Sequence, residues 1–225
     1  MAQVALGSNE KSISVRCCVC PTNFLDSEDR VSAPITQIII FINIAAYILE
    51  SVQGDILIAQ FALWPLGPNF HAWQIVSYAF LHGSLTHILF NMFGLNMFGS
   101  DVERHIGSSR FVIFYFVCVV AAAVTQLAVS SAMGTNYPTI GASGGIFGVL
   151  LAFAIFFPER KIIPLIPPIP MPARVFVVVY GGVELLLGVT GSQAGVAHFA
   201  HLGGMLGAIL ALLFWRLSHD DSSRM

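Results

Sequence analysis

Long runs of apolar residues, separated by short polar segments, fill the chain from residue 33 onward. A helix needs roughly 20 predominantly apolar residues to cross the hydrocarbon core of a bilayer. The pattern therefore predicts an all-α membrane protein, a compact bundle of six transmembrane helices of which the fourth is short. The predicted spans are Pro34–Ser51, Leu85–Ser100, Arg110–Ser130, Ser143–Phe157, Ala173–Val189 and Ala197–Leu217.

Composition agrees with a multi-pass membrane protein and not with a soluble domain. The 225 residues are 56% hydrophobic and only 10% charged, and the mean hydropathy is +0.79, far from the balance of soluble proteins. We expect a cytoplasmic N-terminal tail at 1–32, a six-helix transmembrane domain at 33–218 and a cytoplasmic C-terminal tail at 219–225. The lipid bilayer is an expected partner, and no nucleic-acid partner is expected.

Basic residues predict the orientation of the bundle, because Lys and Arg accumulate on the cytoplasmic side of a membrane. All 10 Lys and Arg residues lie before the first predicted span, after or at the end of the sixth, or within or at the edges of the connections between spans two and three and between spans four and five. The other connections, Val52–Ser84, Ser131–Ala142 and Thr190–Val196, contain none. We therefore expect these three to face outward and both termini to face the cytoplasm.

The first outer connection, Val52–Ser84, is too long for a simple turn and contains Trp64 and Trp73 with little charge. Tryptophan in such a setting usually marks the membrane–water interface. We expect a membrane-associated loop that lies partly in the headgroup layer. An anchoring role and a functional role both remain open.

The cytoplasmic connector Pro158–Pro172 is rich in proline, which predicts an extended segment.

A serine set among glycines marks the start of the fourth predicted helix, in Gly141-Ala142-Ser143-Gly144-Gly145. A serine hydroxyl is a weak nucleophile unless a base accepts its proton. Two candidate bases, His198 and His201, open the sixth predicted helix. The serine and the histidines therefore enter the membrane from the same outer side.

Two more polar residues, His87 and Asn91, lie near the outer end of the second predicted helix. They are four residues apart and so share one helical face. Polar groups at membrane depth usually face the protein interior or a water-filled cavity. Taken alone, the pair favours hydrogen bonds that tie helices together over catalysis. His87 and Asn91 lie at a similar predicted membrane depth to Ser143 and His201, however. All four residues are therefore expected beneath the outer face of the membrane.

Glycine spacing predicts close contact between the fourth and sixth helices. Gly144 and Gly148 on one helix, and Gly203 and Gly207 on the other, are pairs of small residues that let helix backbones approach. Tight packing alone explains these glycines. A serine and a histidine at the outer ends of the same pair of packed helices are less easily explained by packing and favour catalysis.

Four motifs together resemble the rhomboid family of intramembrane serine proteases: the His82–Asn91 stretch, Val102–Gly107, the Gly-Ala-Ser-Gly sequence around Ser143, and Ala200–Gly204. The resemblance extends from about Trp73 to Gly207 and implies a rhomboid-like fold. It implies that Ser143 is the nucleophile and His201 the general base and acid, in a dyad without the usual carboxylate.

The resemblance also implies an oxyanion site. His87 and Asn91 would donate side-chain hydrogen bonds, aided by backbone N–H groups around Ser143, in the segment that includes Gly141 and Ala142. Phe147 falls where some family members have a tyrosine that stacks on the catalytic histidine. The aromatic face is retained here, and any role of the hydroxyl is lost.

Glu184 and His198 are ambiguous. Most of the 12 acidic residues lie in the tail or in cytoplasmic connections, out of reach of His201. Glu184 is an acid inside the fifth predicted helix, where hydrogen bonding within the bundle is expected in preference to orientation of the histidine. The glycine pair after His201 fits the family motif, so we assign the base to His201 and expect His198 near the outer surface.

No metal or organic cofactor is expected. The sequence has no H-E-x-x-H motif. Cys17, Cys18 and Cys20 resemble half of a zinc site, but no second half follows. Gly141–Gly145 also fits the nucleophile elbow of α/β hydrolases, which needs a preceding strand and a later acid before the histidine, but here no strand precedes the motif and a membrane helix follows it.

The predicted function is hydrolysis of peptide bonds in or next to transmembrane segments of membrane-protein substrates by a serine endopeptidase. The expected location is a bacterial plasma membrane, with the active site opening to the outer side. Two alternatives remain open. One is a non-proteolytic rhomboid-like protein for binding or quality control; the other is a small transporter that uses His201 and Glu184 but not Ser143.

Overall fold

The structure, a computed structural model, describes residues 32–164, 168–191 and 197–222, with side chains as far as residue 217. The predicted N-terminal tail, including Cys17, Cys18 and Cys20, lies outside the described residues except for Ser32. Nine α-helices are found in the described part of the chain: α1 Pro34–Gln53, α2 Asp55–Phe61, α3 Gln74–Ser77, α4 Leu85–Gly94, α5 Ser100–Ile106, α6 Ser108–Met133, α7 Ser143–Phe156, α8 Ala173–Thr190 and α9 His198–Ser222.

Four helices are long and apolar enough to cross a membrane: α1, α6, α8 and the His198–Leu217 part of α9. They correspond to the first, third, fifth and sixth predicted spans. The fourth predicted span is the 14-residue helix α7, short as expected. The second forms α4, a π-helical turn at Leu95–Gly99 and the start of α5. The chain is thus an all-α membrane protein.

Helix α7 lies in the centre of the fold and packs against both α6 and α9. A Cβ at Gly204 would overlap the carbonyl oxygen of Gly144, and one at Gly148 would lie 2.7 Å from the carbonyl oxygen of Gly204. The predicted close contact of α7 with α9 is therefore present. The predicted partners on α9 are wrong, however. Gly203 and Gly207 face α6, because Gly204 is rotated about 100° from its neighbour Gly203 on the helix.

The junction between α5 and α6 is tied to the start of α1 by one carboxylate. Glu103 accepts hydrogen bonds from the backbone N–H groups of Ile35 and Thr36 at 3.0 and 2.7 Å, and from the hydroxyls of Thr36 and Ser108 at 2.8 and 2.7 Å. Burial raises the pKa of Glu103, but these hydrogen bonds outweigh burial and hold the pKa below its ordinary value. The carboxylate thereby caps the N-terminus of α1.

The long first connection carries α2, α3 and a 3₁₀ turn at Tyr78–Phe80. Leu63 pairs with Thr139 through two backbone hydrogen bonds of 2.9 Å, which join this connection to the one before α7. Glu50, near the end of α1, accepts a hydrogen bond of 2.9 Å from the backbone N–H of His82. These contacts fix the segment that leads into α4. Membrane association of this loop remains a prediction.

The connector Pro158–Pro172 contains no helix among its described residues. It carries the strands β1 (Lys161–Ile162) and β2 (Met171–Pro172), which pair antiparallel, with Lys161 opposite Pro172. Arg160 forms an ion pair with Asp101 of α5.

At the other end of the chain, α9 continues to Ser222, so the helix extends past the predicted boundary at residue 218.

Candidate active site

Ser143 and His201 lie side by side at the ends of two packed helices. Ser143 is the first residue of α7, and His201 lies in the first turn of α9. The Oγ atom of Ser143 is 2.8 Å from Nε2 of His201. The close contact of α7 and α9 at Gly144 and Gly204 brings the two side chains within hydrogen-bonding distance.

Gly141 shapes the turn that leads into α7. Its φ is +122°, a backbone conformation that residues with a Cβ rarely adopt. Its N–H donates to the carbonyl oxygen of Tyr78 at 2.9 Å. A Cβ here would lie 2.7 Å from Nε2 of His87 and 3.7 Å from Oγ of Ser143. The turn thus has room for the His87 ring beside the serine, and Ala142, fully buried, follows as the N-cap of α7.

A cavity of about 980 Å³ opens at this turn. Its lining includes five of the predicted site residues: His87, Asn91, Gly141, Ser143 and His201. Asn91 is 7% exposed, and its Nδ2 has no hydrogen-bond partner among the described residues. A buried donor without a partner is costly. Here it belongs to a residue that lines the cavity.

His87 is positioned by its neighbours. The hydroxyl of Ser84 accepts a hydrogen bond from the backbone N–H of His87 and so caps α4. The buried ring of His82 packs edge-on against the His87 ring, with 5.0 Å between centroids. Burial, together with the nearby His87, lowers the pKa of His82 to about 4. His82 is therefore a neutral support for His87, a role that the sequence did not reveal.

Phe147 covers one face of the His201 imidazole. Its ring is stacked on the imidazole of His201, with 4.3 Å between centroids and 2° between ring planes. Phe147 lies one turn after Ser143, so the same helix supplies both the hydroxyl and the aromatic ring. The position expected from the family resemblance is therefore the one that contacts the imidazole.

A carboxylate does reach His201, contrary to expectation. Oε2 of Glu184 lies 2.8 Å from Nδ1 of His201 and 2.7 Å from Nδ1 of His198. His198 is buried, with only 5% of the residue exposed, and its placement near the outer surface of the membrane stays a prediction. The sequence did not fix the rotation of α8 about its axis. The available signal was a lone acid in an apolar helix, which needs a polar partner at membrane depth.

Within the described part of the chain, Glu184, His198 and His201 also form a group that could hold a metal ion. Their ligand atoms all lie within 4.8 Å of one another. Two Nδ1–H groups that donate to one carboxylate oxygen account for the short contacts without an ion. The geometry therefore fits a hydrogen-bonded group.

Comparison with known proteins gives concordant matches. The sequence profile of the Rhomboid domain matches residues 69–217. Rhomboid protease GlpG of Yersinia pestis (strain Pestoides F) is 28% identical over 204 residues, covering 86% of this chain and 66% of that protein. Rhomboid protease GlpG of Klebsiella pneumoniae (strain 342) is 32% identical over 131 residues, covering 57% of this chain and 45% of that protein. The chain thus spans less than two thirds of the length of these relatives.

Proposed function

Since this chain belongs to the rhomboid family, we propose that it is an intramembrane serine endopeptidase. It hydrolyses peptide bonds in or next to the transmembrane segments of other membrane proteins. The observation that carries this proposal is the 2.8 Å contact between Oγ of Ser143 and Nε2 of His201 at the wall of a cavity. The similarity to proteins named Rhomboid protease GlpG supports the same activity.

The reaction begins when Oγ of Ser143 attacks the scissile carbonyl carbon and Nε2 of His201 takes the hydroxyl proton. The tetrahedral intermediate collapses as His201 gives that proton to the leaving amine. A water from the cavity then attacks the acyl-enzyme, with His201 again as the base. The released products are an amine and a carboxylic acid, and Ser143 regains its proton.

The negative oxygen of the tetrahedral intermediate needs donors that are already in place. Nδ2 of Asn91, buried and without a partner among the described residues, is a donor of this kind. The ring of His87, next to Gly141 and Ser143, supplies a second. Backbone N–H groups around Ser143 assist. No step requires a metal or an organic cofactor.

The length of α7 supports a site below the membrane surface. Its 14 residues give a helix of about 21 Å, against a hydrocarbon core of about 30 Å. If the end of α7 near Arg160 lies at the cytoplasmic interface, Ser143 is recessed by about 10 Å from the outer boundary. We propose six membrane crossings, cytoplasmic termini, a cavity open to the outer side and, from the bacterial relatives, a bacterial inner membrane.

A substrate helix must unwind before its peptide bond can reach Ser143. Unwinding frees backbone N–H and C=O groups, which lipid cannot satisfy. Polar side chains in the lining of the cavity, such as His87 and Asn91, and water in the cavity can satisfy them. Substrates with helix-weakening Gly or Pro near the cleaved bond are therefore favoured, and the resemblance to the rhomboid family implies a small residue before that bond.

The test is cleavage of a model transmembrane substrate in liposomes by the full chain, by Ser143→Ala and by His201→Ala. Cleavage by the parent and its loss in both folded variants supports the proposal. Equal cleavage by the parent and Ser143→Ala overturns it. If no member of a substrate panel is cleaved but their helices bind the parent, the non-proteolytic binding function replaces it.

A further inference from the structure

The carboxylate of Glu184 lies between two imidazoles. A single oxygen, Oε2, contacts Nδ1 of His198 at 2.7 Å and Nδ1 of His201 at 2.8 Å. All three residues are at most 9% exposed. The other ring nitrogen of His201, Nε2, contacts Ser143. A continuous chain of contacts therefore runs from the Glu184 carboxylate through the His201 ring to the serine hydroxyl.

We propose that Glu184 is a positioning residue for the reaction, so that the active group is Ser143–His201–Glu184 and not a serine–histidine dyad. This inference rests on the proposed function. An ionised carboxylate only accepts hydrogen bonds. Nδ1 of His201 must therefore carry the proton, which leaves the lone pair of Nε2 free to accept the proton of Ser143.

The carboxylate also stabilises the product of proton transfer. When Nε2 takes the serine proton, the ring becomes positively charged 2.8 Å from the oxygen of Glu184. A neighbouring opposite charge favours the charged form of an imidazole, and the effect is larger where water is largely excluded. The charge therefore lowers the barrier for attack by Ser143 and does more than hold the ring in place.

His198 has a matching role on the other side of the carboxylate. Its Nδ1–H is the second donor to Oε2 of Glu184. Its Nε2 is buried and has no hydrogen-bond partner among the described residues. A proton on this nitrogen would have no acceptor among the described residues, which favours the tautomer of His198 that carries its proton on Nδ1. A neutral donor holds Glu184 without cancelling the charge that acts on His201.

The competing explanation is that Glu184 only ties α8 to α9. The variant Glu184→Gln distinguishes this structural role from the positioning role, because glutamine has nearly the same shape and keeps an acceptor oxygen but has no charge. Under the positioning role, kcat of Glu184→Gln falls on the order of 10- to 1,000-fold, the range for one neighbouring opposite charge, with little change in KM. Under a purely structural role, Glu184→Gln cleaves like the parent.

Two further substitutions at the same position sharpen the result. Glu184→Ala removes both the acceptor and the charge, and its kcat falls by up to about 10⁴-fold, as for loss of the carboxylate in other serine hydrolases. Glu184→Asp keeps the charge on a shorter side chain and retains more activity than Glu184→Gln. If Glu184→Gln is more active than Glu184→Asp, the charge is not what matters and the proposal is overturned.

Matched controls are available in the chain. Glu159→Gln makes the same chemical change at an exposed carboxylate paired with Arg174, and it leaves kcat unchanged. His198→Asn keeps an amide N–H near the position of Nδ1, and it loses less activity than His198→Phe, which has no donor.

A chelator leaves the parent's activity unchanged. Activity that a chelator abolishes and zinc restores overturns the hydrogen-bonded assignment in favour of a metal site.

A readout without substrate separates this inference from the proposed function. Histidine-labelled full-length protein in micelles is examined by NMR for the hydrogen-bonded Nδ1–H proton of His201. The signal is expected in the parent and in Ser143→Ala, and it is lost in Glu184→Ala. Its absence from the parent overturns the role of Glu184 even if cleavage depends on Ser143. Its presence in a parent that cleaves nothing leaves the pairing intact and overturns only the protease function.

Discussion

The ring of Phe147 lies parallel to the imidazole of His201, with 2° between their planes and 4.3 Å between their centroids. Both residues belong to helices that meet at glycines, so the stack is held by the backbone contact of α7 and α9. Together with the contact of Nε2 with Ser143, the stack limits both the tilt and the rotation of the imidazole. The ring plane is therefore set before a substrate arrives.

Removal of the stacked ring is expected to lower activity by a modest factor. Aromatic pairs contribute about 0.5–1.5 kcal/mol beyond their buried area, so Phe147→Ala lowers kcat by about 2- to 12-fold. Phe147→Tyr retains the stack and keeps an activity close to that of the parent. Steady-state cleavage kinetics check this prediction. A Phe147→Tyr variant as inactive as Phe147→Ala would contradict it.

Removal of an oxyanion donor is expected to act on the chemical step. Asn91→Ala lowers kcat by about 10²- to 10³-fold, the usual effect of losing one such donor, with little change in KM. Thermal stability falls little, because loss of the buried Nδ2 breaks no hydrogen bond among the described residues. Kinetics and thermal melting in detergent measure both effects.

The control for this variant is Asn96→Ala. Asn96 is an exposed amide in the same helical segment, where it accepts a hydrogen bond from Gln37. Its replacement leaves kcat unchanged. If Asn91→Ala changes KM and not kcat, Asn91 contacts the substrate in the ground state and the oxyanion role is wrong.

The contact of α7 with α9 predicts that two glycine-to-alanine variants differ widely in their free energy of unfolding. Gly204→Ala places a Cβ on the carbonyl oxygen of Gly144, and such overpacking lowers the free energy of unfolding by about 1–3 kcal/mol. Gly182→Ala, in α8, meets no atom within 4 Å. It raises the free energy of unfolding by up to about 1 kcal/mol, because alanine favours a helix. Equal melting temperatures for the two variants would contradict the packing described here.

Glu103 predicts a dependence of stability on pH. Its carboxylate accepts charge-assisted hydrogen bonds at the start of α1, so Glu103→Gln lowers the free energy of unfolding at pH 7 by about 1–3 kcal/mol. The pKa of Glu103 is lower in the folded protein than its ordinary value of 4.5. The stabilisation is therefore complete above that value and is lost as the pH falls through the folded-state pKa.

The measurement for Glu103 is detergent unfolding of the parent and Glu103→Gln across acidic pH. The difference between their free energies of unfolding shrinks as the pH drops below 4.5. A difference that stays constant across this range would show that Glu103 does not act through its charge.

The sequence predicted the parts of the site that rest on local pattern. Apolar runs located the helices, and the glycines around Ser143 and after His201 located the two residues that now lie 2.8 Å apart. It could not predict features that depend on helix rotation. Gly203 and Gly204 differ by about 100° around α9, and only the second faces α7.

Glu184 was missed for the same reason. The contacts of an acid inside α8 depend on which face of that helix meets α9, and the apolar residues of α8 do not determine this. His198 and His201 were both visible as histidines near one helix end. Their shared contact with Oε2 of Glu184 required the packing of two helices, which no local pattern contains.

The most direct measurement of the central claim is covalent labelling of the full chain with a fluorophosphonate, followed by peptide mapping. This reagent reacts with a serine whose hydroxyl is activated by a base. The account predicts one adduct, on Ser143, in the parent and in Glu159→Gln, and none in folded His201→Ala. An adduct on another serine, or undiminished labelling of His201→Ala, would contradict the assignment of Ser143 as a nucleophile activated by His201.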